Sequence, residues 1–120
     1  MIGKNDFFED VASALDHWTS VAVESVTNPL ANLAWVDEEM PFRKLASILK
    51  NSGAAEEDVH QIFGEVLRGL TVSLLTVLDG GTALADQGER VYLVDLAGEH
   101  LGEGLHDDFL GYLLSTGRLK

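Results

Sequence analysis

Apolar residues fall along this chain in helical rather than strand-like periods. From about Asn5 to Glu24, Phe7, Val11, Leu15, Trp18 and Ala22 recur at steps of four, four, three and four, one face of a helix. Asn5 or Asp6 serves as its cap, and Asn28-Pro29 ends it, because the residue before proline is pushed out of the helical region. Leu30 to Val36 is apolar but short, and reads either as a helical turn or as an extended connector. A second helix opens near Pro41, where a missing N–H is no loss. It carries Phe42, Leu45, Ile48 and Leu49 on one face and closes at Ser52-Gly53.

A third helix begins near Ala54 or Ala55. Its apolar positions are Val59, Ile62, Phe63, Val66, Leu67, Leu70, Leu74, Val77 and Leu78, and Asp79-Gly80-Gly81 stops it. Residues 70–78 carry no charge at all. Unbroken, this helix is a rod of about 36 Å. The competing reading ends the helix at Gly69 and makes a strand of the β-branched run from Thr71-Val72 to Thr76-Val77. Beyond Gly81 the pattern changes. Val91-Tyr92-Leu93-Val94 reads as a strand, Asp95-Leu96-Ala97-Gly98 as a turn and His100-Leu101 as a short return strand. Leu105, Phe109, Tyr112 and Leu113 then mark a last helix, ended by Ser115-Thr116-Gly117. The expected fold is mainly α with a minor β part: a helical bundle with a long central helix and a small C-terminal β-hairpin, in a single globular domain over 1–120.

Charge adds a second layer. Twenty acidic residues against eight basic ones give a net charge of −12. Such a surface repels phosphate backbones and anionic membranes. The only basic cluster, Arg43, Lys44 and Lys50, is too small for a nucleic-acid footprint. Eleven of the acids fall at predicted helix starts: Asp6, Glu9 and Asp10; Asp37, Glu38 and Glu39; Glu56, Glu57 and Asp58; Asp107 and Asp108. There they meet unpaired N–H groups and the positive end of the helix dipole. The same carboxylates, facing outward, suit a basic protein partner.

Candidate chemistry is sparse. With no cysteine, disulfides, thiolate zinc sites, iron–sulfur clusters and thiol catalysis are all excluded, which fits a reducing cytoplasm. The uncharged run 70–78 is far short of a bilayer span, and acids occupy the place of a signal peptide's apolar core. A cytoplasmic protein that does not enter a membrane is expected. His106-Asp107-Asp108 is similar to the His-Asp pair of metal-dependent phosphohydrolases, but that chemistry needs further His and Asp ligands from separate helices. Asp95, Glu99, His100 and His106 are the candidate metal set, should the hairpin bring them together. Asp79-Gly80-Gly81-Thr82 resembles a sugar-kinase phosphate loop, yet its glycines follow a helix and read as a terminator. Thr71, Ser73 and Thr76 have no nearby histidine and read as hydroxyls bonded back to helix carbonyls.

The functional expectation is a non-catalytic interaction protein of the acidic-inhibitor or immunity kind, with no cofactor. Self-association as a homodimer is expected through Leu70, Leu74, Val77 and Trp35. The alternative is a small metal-binding domain or hydrolase built on His100 and His106.

Overall fold

The computed structural model describes residues 3–81 and 90–120; Thr82 lies outside them. The protein is mainly helical, and the described residues contain four helices: α1 (Lys4–Thr27), α2 (Met40–Ser52), α3 (Glu56–Leu78) and α4 (Leu105–Ser115). The chain groups into two compact units. One comprises 1–14 and 68–120, the other 15–67, so α1 and α3 each contribute a half to both.

In the first unit, Phe8, Ala12, Leu75, Leu105, Phe109 and Leu113 are buried. The Phe8 ring stands 5.4 Å from that of Phe109 and 5.7 Å from that of Tyr112, both tilted, a favoured aromatic geometry. Polar links join the same two helices at the surface. Lys4 Nζ lies 2.5 Å from Asp108 Oδ2 and the Tyr112 hydroxyl donates to Glu9, which Arg118, just past α4, also reaches at 3.4 Å.

In the second unit, Val23, Val26 and Val59 form the buried cluster, with Phe42, Leu49 and Phe63 packed on it. The 30–36 segment is an irregular connector that buries Ala31 and Leu33. The Asn28 and Asn32 carboxamide oxygens accept from Leu30 and Ala34 N–H, the local turn chemistry of Asn. Arg43 donates to the Pro29 and Ala31 carbonyls, which straps the connector to α2. Gly53, at φ 74°, terminates α2 in the left-handed conformation as the sequence predicts.

The structure decides between the two readings of 70–78: α3 is continuous to Leu78. Gly69 faces open space and introduces no break, and the Thr76 hydroxyl bonds back to the Val72 carbonyl. The helix ends in a Schellman arrangement, with Gly81 N–H donating to Thr76 O and Gly80 N–H to Val77 O. Gly80 sits at φ 77°, and a Cβ there would meet the Tyr92 ring at 2.5 Å. Both conditions require glycine.

Two expectations are corrected. The C-terminal hairpin over 91–101 does not form: among the described residues there is no strand, only isolated bridges pairing Asp79 with Tyr92 and Val94 with His100. The Asp95 carboxylate accepts from Ala97 and Glu99 N–H, and Gly98 turns left-handed at φ 81°. The turn expected at 95–98 thus forms, but the segments flanking it meet only through the single Val94–His100 bridge and the Leu101 N–H to Leu93 O bond, too few pairings to make strands. The second correction concerns the register of α1. Its buried positions are Phe8, Ala12, Thr19, Val23, Ser25 and Val26, most of them one residue along from the predicted stripe, and Trp18 is exposed. Thr19 reads as polar, but its hydroxyl is consumed by the Leu15 carbonyl at 2.7 Å, which lets its methyl face inward.

This register is directly measurable. Phe8→Ala is expected to lower unfolding free energy by about 3–5 kcal/mol, the range for emptying a buried aromatic site. The half-buried neighbour, Phe7→Ala, is expected to lose less than half as much in the same urea titration.

Candidate functional site

Asp79 closes α3, and its carboxylate is almost wholly buried, with the side chain 1% exposed. A bare buried carboxylate would be strongly disfavoured, so its partners decide its state. Oδ1 accepts from Gly81 N–H at 3.0 Å. Oδ2 accepts from His106 N–H at 3.2 Å and lies 2.5 Å from His106 Nδ1. His106 is in the first turn of α4, whose preceding residue, Gly104, supplies no side-chain cap. The carboxylate at the end of α3 thus caps the start of α4.

Burial pushes the Asp79 carboxyl toward its neutral form, but the hydrogen bonds from His106 and Gly81 outweigh this and hold it below the ordinary aspartate range. The hydrogen bond to Asp79 raises His106 above the ordinary histidine value, against partial burial, with Asp107 and Asp108 adding to it. An ionised acceptor at Oδ2 means that Nδ1 carries the proton. His106 Nε2 faces Asp107 Oδ2 at 3.6 Å. Both ring nitrogens therefore address carboxylates, which favours a protonated ring. The pair joins the end of α3 to the start of α4.

The candidate metal set is not gathered. Among the described residues no group of three or more His, Asp or Glu converges on one point. Asp95 closes its own turn, and His100 stacks on Tyr92 with ring centroids 4.7 Å apart. His106 turns to Asp79, a residue read from sequence only as part of a helix terminator.

Two other surfaces carry exposed chemistry. In the first unit, a cleft of about 720 Å³ is lined by Phe7, Leu93, Leu96, Ala97 and Leu101, with Asp6, Asp10 and Asp95 among them. On the same unit's half of α3, Leu70 is 57% and Leu74 55% exposed, and Val77 is half-buried. In the second unit, Trp35 is 46% exposed and packs edge-on between Trp18 and Phe42, at 5.4 and 5.7 Å between centroids. Three of the four residues expected at an interface therefore stand substantially in solvent.

The cleft is not legible in the sequence, because Asp6 and Asp10 read there as helix-start acids. Their signal was the i, i+4 spacing that sets two like charges on one face beside Phe7. Helix α3 also contains an 18-residue stretch of mean hydropathy 1.4, long and apolar enough by composition to cross a membrane. Comparison with family models, curated proteins and solved structures gives no match to this chain.

The Asp79–His106 pair fixes a pH response. Between the ordinary values of about 3.9 and 6.5, the folded pair is fully charged and its stabilisation complete. Above about 6.5 the unfolded histidine sheds its proton while folded His106 keeps it, so stability falls until the folded ring also titrates. Below about 3.9 the unfolded carboxylate takes a proton that Asp79 resists, and stability falls again. The wild-type melting temperature should decline as pH rises through and above about 6.5, and His106→Gln should flatten that decline. Asp79→Ala, which orphans the donors it serves, should cost about 1–3 kcal/mol at pH 6.

Proposed function

We propose that this protein is a non-catalytic cytoplasmic interaction protein that pairs with a second copy of itself and binds a basic protein partner, in the manner of an acidic inhibitor. The observation that carries this reading is the exposure of Leu70 and Leu74 on a helix face of a chain with net charge −12. Apolar side chains presented in a row on a helix, rather than scattered singly, mark surfaces that partners cover. The charge then selects among partners: it steers cationic proteins in and keeps anionic polymers away.

Self-association is assigned to the C-terminal half of α3. Leu70 and Leu74 lie one turn apart, and exposed Gly69 and Ser73 beside them are small enough for close approach of a second helix. Trp35, in the second unit, is a separate aromatic anchor. In a membrane, Glu65 and Arg68 would fall within the apolar stretch of α3, a placement that is unfavourable for each charge. This supports an aqueous, cytoplasmic setting, in which a twin subunit covers the row.

Light scattering at micromolar concentration should report a dimer for the wild type. Leu74→Asp should report a monomer with a nearly unchanged melting temperature, because the side chain is exposed in the single chain. A monomeric wild type would remove the pairing. Capture of a basic protein that weakens steeply as salt is raised is the expected sign of the second activity. Partner binding that ignores ionic strength would count against it.

A further inference from the structure

We infer that the cleft of the first unit is the docking groove for a partner segment that places a lysine or arginine beside a leucine-sized apolar side chain. The inference rests on the reading that the partner is basic, and assigns where and how that partner is held.

The groove has two walls of different origin. One is the start of α1, where Asp6, Phe7 and Asp10 share one face of the helix, within about 100° of arc. The other is the coil 93–101, which contributes Leu93, Asp95, Leu96, Ala97 and Leu101. The coil is anchored rather than loose. Leu93 N–H donates to the last carbonyl of α3 at Leu78, Leu101 N–H donates to Leu93 O, and Asp95 N–H donates to Glu99 O. With the turn closed by the Asp95 carboxylate, Leu96 is held fully exposed at its tip. A leucine fixed in water at a rigid turn beside an apolar floor is ready to contact an incoming chain without an ordering penalty.

Charge selects the occupant. Five of the eight lining residues are apolar, three are aspartates, and none of the described lining residues is basic. The nearby cations of this unit are turned elsewhere: Lys4 to Asp108, Arg118 to Glu9 and Arg90 to the Gly80 carbonyl. Asp6 and Asp10, one turn apart on the same helix face, repel each other, and an incoming ammonium or guanidinium relieves that repulsion. A volume of about 720 Å³ accommodates two or three side chains of a peptide. An apolar ligand alone would leave the Asp6–Asp10 repulsion unrelieved, and a bare cation would leave the floor wet. A segment carrying both satisfies the two together.

The experiment uses the full-length protein and a synthetic helical peptide of leucines and lysines, with two controls: serine for leucine, and glutamate for lysine. Amide shifts on adding the Leu/Lys peptide should concentrate at Phe7, Asp10, Leu93, Leu96 and Leu101. Asp10→Asn should weaken binding about two- to fivefold, as for one exposed ion pair. Leu96→Ser should weaken it about tenfold, as for an apolar anchor. Both side chains are exposed, so the amide spectrum without peptide should keep its native pattern. If Leu96→Ser disturbs the turn, the shift map of the wild type still decides the matter. Shifts centred away from the cleft, or equal affinity for the serine control or for spermine, would overturn the docking groove while leaving a basic partner in place. No binding of any cationic peptide or basic protein would overturn the partner reading as well.

Discussion

A buried carboxylate must be answered by donors, and Asp79 organises the first unit around that requirement. It is the residue after the last turn of α3, where the dipole is negative and an anion is unwelcome. It is simultaneously the acceptor for the first turn of α4, where an anion is favoured. One side chain thus converts an unfavourable helix end into a joint between two helices. The Gly80-Gly81 pair makes the joint possible, since the Schellman turn points the backbone away and leaves Asp79 facing inward. His106 completes it by supplying both a backbone N–H and a ring N–H to the same oxygen. The coil 90–101 then follows from the joint: Tyr92 covers Gly80, and Leu93 takes the final carbonyl of α3.

The second unit is organised by apolar packing instead. Its cluster is built from three valines flanked by two phenylalanines and a leucine, and its one long irregular stretch is held by Arg43 at two carbonyls. Neither unit absorbs all the apolar side chains its helices carry. Ile48, Ile62 and Val66 stand exposed in the second, as Leu70, Leu74 and Leu114 do in the first. These exposed apolar side chains share the surface with the carboxylates of a chain whose net charge is −12.

Much of the helical architecture was legible because helix punctuation is local. Pro41, Gly53 and Gly80-Gly81 act through their own dihedral preferences, and they bounded α2 and α3 correctly. What failed was whatever depended on a partner in space. The face of α1 could not be chosen from sequence, because stripes through Phe7 and through Phe8 are nearly equal in period, and the polarity of Thr19 is masked only once the helix exists. The turn at Asp95 is local and was legible, but strands at 91–94 and 100–101 need a ladder of partners, and only isolated bridges form. The Asp79–His106 pair spans 27 residues, and no spacing rule reaches that far. The metal set failed for the same reason, since His106 was claimed by an acceptor outside the set.

The cleft shows why acidic residues are hard to read from sequence. A carboxylate in the first turns of a helix is stabilised by the dipole wherever its oxygens point, so the sequence explanation is complete before any site is considered. Asp6 follows that account closely, because its Oδ2 accepts the Gly3 N–H at 2.9 Å. Asp10 does not need it, since the dipole's influence fades beyond the first turn. It lies one turn above Asp6 and lines the cleft together with Phe7 and Leu96. An exposed like-charge neighbour lowers helix stability slightly. What sets Asp6 and Asp10 apart from the other helix-start acids is therefore the wall they face, an apolar groove lined by Phe7, Leu93, Leu96 and Leu101.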